Sequence, residues 1–499
     1  MLRSATQSTL PELAPEEFRT LGHRLVNQVA DWLQAMPRGP VTPGETPAVV
    51  QECLGGAALP TQGMAAEQVL REAWHLLEKH SLFNGHPRFM GYITSSPTPI
   101  GMLGDLMAAA LNPNVGAWPL SPMATEMERQ TVRWIAELIG FPAAGGGILV
   151  SGGNMANIVA LAAARRARAP WDVRRMGVHS AEHGRLLLYA GDQTHAWLEK
   201  GAELLGFGTD AVRRIPSDVE LRMDVAQLEG QLARDRAAGD LPFFVVGTAG
   251  SVSTGAVDPL AALAELCRRE QLWFHVDGAY GAPAAALPEA SPDLQALALA
   301  DSVAVDPHKW LYAPLEVGCV LVRRPDDLTA AFSSHPDYYR FDAAGALPPL
   351  NFYEWGPQNS RGFRALKVWL ALRQIGKSGY QCLIREDIAL ANLLHDLVDA
   401  ENDLEAGPGG LSIATLRYIG EPGMAVGDEA ALNSLNERLL AALQQSGEAY
   451  LSNAVVGGRF WLRACVVNFR TRADDMRIVV KLVQRLGRQL QSEARTSAG

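Results

Sequence analysis

Four short stretches of this 499-residue chain carry residue types that could do chemistry, and each follows a run that reads as a buried strand. In Asp301-Ser-Val-Ala-Val-Asp-Pro-His-Lys-Trp310, Lys309 is flanked by Val303, Val305, Trp310 and Leu311, so its ammonium must lose water or find a partner. Desolvation moves a lysine toward the free amine that Schiff-base chemistry needs. A lysine snorkelling from a strand end to solvent would look the same in sequence. Gly147-Ile-Leu-Val150 runs into Ser151-Gly-Gly-Asn-Met-Ala-Asn157 and then an alanine-rich helical stretch. Glycines let backbone amides approach an anion, and a following helix adds unpaired N–H groups, so this is a candidate phosphate cradle. It lacks the Gly-Lys-Ser/Thr of a P-loop and the Gly-x-Gly-x-x-Gly of a dinucleotide site, and an ordinary strand-to-helix turn has the same composition. His195, in Gly191-Asp-Gln-Thr-His-Ala-Trp197, stands just past a strand. Asp277 ends the aromatic and apolar run Leu272-Trp-Phe-His-Val-Asp277, where a carboxylate needs a cation or donor to stay ionised.

Taken together these are the parts of a pyridoxal phosphate site. A cradle holds one phosphate and a lysine amine condenses with the aldehyde. A carboxylate keeps the pyridine nitrogen protonated so that the ring takes up electrons, and an imidazole covers a ring face.

The elements that would position them alternate. Strand-like runs at 147–150, 186–189, 242–247, 272–276, 302–305 and 317–322 are separated by helical patterns at 154–167, 194–205, 224–237 and 258–270. That alternation predicts an α/β unit with a central, mostly parallel sheet, and such sheets bind ligands beyond the carboxyl ends of their strands. Before it come amphipathic helices at 14–35 and 64–80, joined by a proline- and glycine-rich connector (Pro37–Pro47), then helices at 98–111 and 123–140. The first two cannot bury both apolar faces alone, so they are expected to lie as an arm on the main body or on a second subunit. Helix to about residue 400, a strand over Trp461–Phe469 and a last helix near 473–493 close the chain as a small α+β domain. The expected division is 1–97 as a helical dimerisation segment, 98–371 as the large cofactor-binding domain and 372–499 as the small domain.

Composition narrows the partners. Lys and Arg number 44 against 54 Asp and Glu, a formal charge of −10, so no global basic field favours nucleic acid or anionic membrane. Five scattered cysteines lack metal spacing and read as reduced thiols of a cytoplasmic protein, no metal is expected, and no apolar run is long enough to span a bilayer.

Ser151-Gly-Gly-Asn-Met-Ala-Asn157, His275-Val-Asp-Gly-Ala-Tyr-Gly281 and Asp306-Pro-His-Lys-Trp310 resemble the motifs of the group II pyridoxal-phosphate decarboxylases. That family includes aromatic-L-amino-acid, tyrosine, histidine and glutamate decarboxylases. The resemblance extends through His86-Pro-Arg-Phe-Met-Gly-Tyr92, Ser121–Glu128, Thr248–Asp258 and Phe363–Trp369, in order along most of the chain, and the aromatic branch looks closest. It implies the type I, aspartate-aminotransferase-like fold and a homodimer with active sites at the interface. It also implies roles. Lys309 holds the cofactor, Asp277 pairs with the pyridine nitrogen, Ala279 packs under the ring and His195 stacks on its other face. Ser151, Gly152, Gly153, Asp306 and His308 lie around the phosphate, and Thr248 lies near the cofactor oxygen and Asp277. Tyr338, in a long segment (326–359) expected to close over the site, would protonate Cα; relatives with phenylalanine there tend toward aldehydes.

The substrate pocket would take Tyr92, Ile93 and Ser95 from one subunit and Val115, Ala117 and Trp118 from the other. Two departures stand out. Ala117 lies where the aromatic branch has a bulky phenylalanine nearby, and Ser360-Arg361-Gly362 replaces the usual paired arginines, removing one positive contact. Ser360 leans toward tyrosine-like substrates. The implied reaction is α-decarboxylation of an L-amino acid of tyrosine, DOPA or tryptophan type to the amine. The alternatives are an aldehyde synthase, or a decarboxylase of glutamate, histidine or 2,4-diaminobutyrate.

Overall fold

A computed structural model describes residues 12–179, 182–334, 350–420 and 428–496. Seven short strands, most of them rich in Val, Leu, Ile and Phe, form the central sheet: β1 (Gly146–Val150), β2 (Leu186–Gly191), β3 (Val212–Ile215), β4 (Leu241–Thr248), β5 (Trp273–Asp277), β6 (Ser302–Val305) and β7 (Gly318–Val322). Their order is β1-β7-β6-β5-β4-β2-β3, and β7 alone runs against the others. The carboxyl ends of the other six therefore open on one edge, and near-continuous apolar strands of this kind must be covered on both faces.

In the N-terminal third, helices α1 (Pro15–Ala35), α2 (Pro47–Leu54), α3 (Ala66–His80), α4 (Pro99–Leu111) and α5 (Pro122–Leu138) precede β1. Helix α6 (Gly153–Arg168) crosses the sheet, and its alanines, buried from Ala156 to Ala164, let it lie close against β4, β5, β6 and β7. A second sheet, ordered β10-β11-β9-β8, joins β8 (Leu404–Ala406), β9 (Ile413–Tyr418), β10 (Ser452–Val456) and β11 (Arg459–Cys465). All its pairings are antiparallel. Helices Glu429–Ser446 and Ala473–Thr496 pack with it around a separate apolar cluster that includes Met90. Met90 donates its N–H to Tyr450 O at 2.8 Å and accepts from Cys465 N at 2.9 Å. The stretch between α3 and α4 is thus built into the C-terminal core.

The expected helices and six strands form, with local differences. Helix α2 begins where the connector was expected to end, with Pro47 as its first residue. Strand β3 escapes detection because Val212-Arg-Arg-Ile215 places two arginines in a four-residue run. The helix expected from 194 starts at Trp197, leaving His195 in the preceding turn, and the strand expected over 461–469 ends at Cys465. Helix Ala365–Asp399 breaks at Gly376, whose φ of +68° suits glycine. Helices α1 and α3 meet through Trp32 and Trp74, edge to face at 6.4 Å. Phe18, Val26, Leu70 and Leu77 nevertheless remain exposed.

Candidate active site

At the carboxyl edge of the sheet a cavity of 480 Å³ collects the residues singled out in sequence: Ser151, Gly152 and Gly153 after β1, His195 after β2, Thr248 ending β4, Asp277 ending β5, Ala279 just beyond, and Asp306, His308 and Lys309 after β6. Parallel strands bring together stretches that lie far apart in sequence.

Lys309 finds a protein partner. The turn after β6 sets its Nζ 3.1 Å from Asp306 Oδ2, three residues back, and Asp306 itself is buried. A carboxylate within the same turn therefore answers its charge. His308 donates from Nδ1 to Val317 O at 2.7 Å, its Nε2 lies 3.7 Å from Asp306 Oδ2, and its carbonyl accepts from Ser95 Oγ at 2.9 Å.

Asp277 accepts from Asn157 Nδ2 at 3.2 Å on one oxygen and from Ala279 N at 3.2 Å on the other. Thr248 Oγ1 lies 3.0 Å from Thr194 Oγ1 and its N–H donates to Asp258 at 2.7 Å. Burial raises the Asp258 carboxyl to about 6, against the pull of the Met223 and Thr248 N–H donors. His195 accepts the Trp197 N–H on Nδ1 at 3.2 Å. Burial, chiefly, holds its pKa below the usual histidine range; Asp277 pulls the other way and Lys309, Lys200 and Arg214 reinforce burial. Its turn is clamped by Arg214, which sends Nη1 to the carbonyls of Gly191 (2.8 Å) and Thr194 (3.1 Å) and binds Glu199 through two nitrogens.

Of the expected substrate-pocket residues, Ile93 lines this cavity and Ser95 adjoins it through His308, while Tyr92 is exposed beside Tyr450. Buried Arg463 of β11 fixes that stretch by donating to Tyr92 O at 2.8 Å. Val115, Ala117, Trp118 and Ser360 are absent from the cavity wall formed by this chain. The 115–118 loop instead packs against 351–361 of its own chain: Val115 N donates to Arg361 O at 2.8 Å and Trp118 N to Asn351 Oδ1 at 3.1 Å. Tyr338 lies outside the described residues, as does much of the 326–359 segment.

Sequence reasoning missed Asn157, His275, Arg214, Arg463 and the buried pair Arg361–Glu128. Asn157 and His275 stood inside the quoted motifs, and only their burial beside Asp277 reveals a role. Arg361 lies under the site, bonded to Glu128 and donating to Leu149 O (2.7 Å) and Val115 O (2.8 Å).

The cavity fits pyridoxal phosphate. Helix α6 starts at Gly153 with no side-chain cap, so its first N–H groups are available to an anion where Gly152 to Met155 line the wall. Gly152 sits at φ +133°, and a Cβ on Gly153 would stand 2.7 Å from Asp306 Oδ2 and 3.1 Å from Ala279 Cβ, so glycine keeps the cradle open. Among the described residues, buried Asp306 Oδ1 has no hydrogen-bond partner, leaving an acceptor in the wall.

Fold and cavity thus fit an enzyme that works through pyridoxal phosphate over a mostly parallel sheet. Residues 51–406 match the pyridoxal-dependent decarboxylase conserved domain, and the chain belongs to that family of pyridoxal-phosphate-dependent decarboxylases, with the type I fold. It is 32% identical to an aromatic-L-amino-acid decarboxylase of Bacillus atrophaeus, over 96% of this chain and 97% of the relative. It is 30% identical to a phenylacetaldehyde synthase of a Rosa hybrid cultivar, over 93% and 92%. The crystal structure of Oryza sativa TDC with PLP and tryptamine superposes with a TM-score of 0.89 at 30% identity, covering 97% of this chain and all of that one. No helix among the described residues is long and apolar enough to cross a membrane.

Proposed function

We propose that the protein removes the α-carboxylate of an L-amino acid with an aromatic side chain, releasing carbon dioxide and the amine. The observation that carries this reading is the convergence of Lys309, Asp277 and His195 on one cavity whose wall is also apolar, at Ile93, Val252 and Leu315. Pyridoxal phosphate supplies an electron sink for the bond that breaks. The chain does the rest. Lys309 holds the cofactor, and Ser151, Gly152, Gly153, Asp306 and His308 surround its phosphate. Ala279 and His195 would cover the two faces of the ring, Thr248 would lie near its oxygen, and Asp277 would pair with its nitrogen. Tyr338 delivers a proton to the substrate Cα.

The active unit in this reading is a homodimer. Half-buried Trp118 and exposed Ser360 stand away from their own chain's cavity, where they would reach a second copy's pocket. Val115 and Ala117 are buried in their own chain and would only support that loop. Exposed Leu103, Leu106, Met107 and Leu111 on α4 supply an apolar face for that copy.

The relative named as a phenylacetaldehyde synthase makes aldehyde formation the second reading. The test is the holoenzyme with L-tyrosine, DOPA, tryptophan, phenylalanine, histidine, glutamate and 2,4-diaminobutyrate. Equal amounts of carbon dioxide and amine from the aromatic acids are expected. Hydrogen peroxide and ammonia alongside an aldehyde would favour the second reading, and turnover of glutamate, histidine or diaminobutyrate alone would overturn the aromatic one. Tyr338→Phe should slow amine release and yield some aldehyde; unchanged amine kinetics would remove Tyr338 from the mechanism.

A further inference from the structure

Asp277 ends a buried hydrogen-bond chain that runs through Asn157, His275 and Ser302 to Trp273. Trp273, His275 and Asp277 alternate along β5 and so share one face of the sheet. Ser302 of β6 pairs in register with His275, and Asn157 stands one turn into α6 from the phosphate cradle. The Trp273 indole can only donate, and it gives its hydrogen to Ser302 Oγ at 2.8 Å. The Ser302 hydroxyl lies 2.8 Å from His275 Nδ1 and, with one hydrogen and two lone pairs, can give to a bare Nδ1 or accept from a protonated one, so this end of the chain follows the other. The ring proton sits on Nε2 and goes to Asn157 Oδ1 at 2.8 Å. That leaves the Asn157 amide nitrogen facing Asp277 Oδ2, to which it donates at 3.2 Å. The Asp277 carboxylate can only accept, so it fixes the Asn157 amide and with it the Nε2 proton; in a neutral ring Nδ1 is then bare and takes the Ser302 hydrogen.

The surroundings hold His275 in that state. It is fully buried between the Phe244 ring, stacked at 5.6 Å, and the Trp197 ring, edge-on at 5.8 Å. Burial takes its pKa down to about 4, against the pull of Asp277 and of the Ser302 backbone.

We propose that His275 and Asn157 are positioning residues, with a neutral, Nε2-protonated His275 orienting the Asn157 amide so that Asp277 is presented to the cofactor's pyridine nitrogen as a carboxylate with fixed lone pairs. This rests on Asp277 being the partner of that nitrogen. With Oδ2 held by Asn157 and Oδ1 by the Ala279 N–H, each oxygen keeps acceptor capacity, and Asp277 lines the cavity. The arrangement also ties cofactor ring to cofactor phosphate, because α6 supplies both Asn157 and the cradle amides.

Two measurements test it. In apoprotein labelled with ¹⁵N-histidine, NMR should show His275 as the Nε2–H tautomer, without titration between about pH 5.5 and 8. Ser302→Ala leaves the Asp277–Asn157 end of the chain in place, so the Nε2–H tautomer should persist, and its loss would overturn the proposal. A protonated Nδ1, or titration within the range, overturns the proposal. In the holoenzyme, Asn157→Leu should weaken cofactor affinity and lower kcat by about 10- to 100-fold, the scale expected for a group that orients a functional ligand. KM for the amino acid should stay nearly unchanged and the visible spectrum of the bound cofactor should shift. Asp277→Asn is the reference. If it is impaired while Asn157→Leu binds cofactor and turns over normally, the relay is refuted and the role of Asp277 stands. If Asp277→Asn is itself unimpaired, the reading of Asp277 fails and the relay with it. Where Asn157→Leu does not fold, the Ser302→Ala tautomer decides.

Discussion

Lys309 and Asp306 show how a three-residue spacing becomes chemistry: the turn after β6 holds amine and carboxylate 3.1 Å apart in a wall otherwise built of strand ends. Such a pair keeps the amine oriented until it is needed. Lys309→Ala should abolish turnover. Borohydride reduction of the holoenzyme, which saturates the carbon–nitrogen double bond between lysine and aldehyde, should leave the cofactor on the Lys309 peptide alone. Peptide mass spectrometry reads the result, and a cofactor-bearing peptide elsewhere would contradict the assignment. His195 lies in a turn rather than on a helix, held by its own Nδ1 contact to Trp197 N and by the Arg214 clamp behind. Losing Arg214 should therefore loosen the imidazole without touching the lysine. Arg214→Met is expected to lower kcat about tenfold or more with little change in the borohydride labelling of Lys309.

At the scale of elements, two buried charged groups join pieces of the fold. The Arg361–Glu128 pair ties the stretch before helix Ala365–Asp399 to α5, to the end of β1 and to the 115–118 loop. Both side chains are almost wholly buried, so removing one strands the other. Glu128→Ala should cost about 3–5 kcal/mol, and a paired replacement by apolar residues should recover much of it, as read by urea unfolding. Asp387, on the long helix, accepts from Trp310 Nε1 at 2.8 Å and Tyr312 OH at 2.7 Å, fastening the turn beyond Lys309 to that helix. Burial raises its carboxyl to about 7, against the pull of the Tyr312 and Trp310 donors. A carboxyl raised in the folded state binds its proton more tightly there than when unfolded, so its contribution to stability falls as pH rises from about 4 to about 7. Relative to wild type, Asp387→Asn should thus gain stability across that window, by at most about 4 kcal/mol. A difference that is flat or opposite in sign would show that the carboxyl stays ionised.

At the scale of the whole molecule, the N-terminal helices and α4 leave apolar side chains exposed, among them Phe18, Leu77, Leu106 and Leu111, and the proposed homodimer would cover those on α4. The double variant Leu106→Glu with Met107→Glu should sediment as a monomer and lose activity while keeping its circular dichroism spectrum. A fully active monomer would show that each chain completes its own pocket. The second sheet acts on the site from a distance: β11 supplies Arg463, which grips the Tyr92 carbonyl next to Ile93 in the cavity wall.

The sequence by itself determined the alternation of strands and helices, the glycine cradle, Lys309, Asp277 and His195, and the family resemblance. Each of these is written in a contiguous stretch where local spacing and composition govern. What only the tertiary structure decided depends on contacts between residues far apart in the chain. Asn157 and Asp277 are 120 positions apart, Arg361 and Glu128 are 233, and Arg463 and Tyr92 are 371, so no window of sequence contains their geometry. Strand β3 stayed hidden because its burial comes from neighbours, not from an apolar run of its own. The partner of Lys309 was hidden for a different reason: Asp306 was in plain view, but whether a carboxylate three residues away faces the amine is set by the turn, and the turn is set by the sheet beneath it.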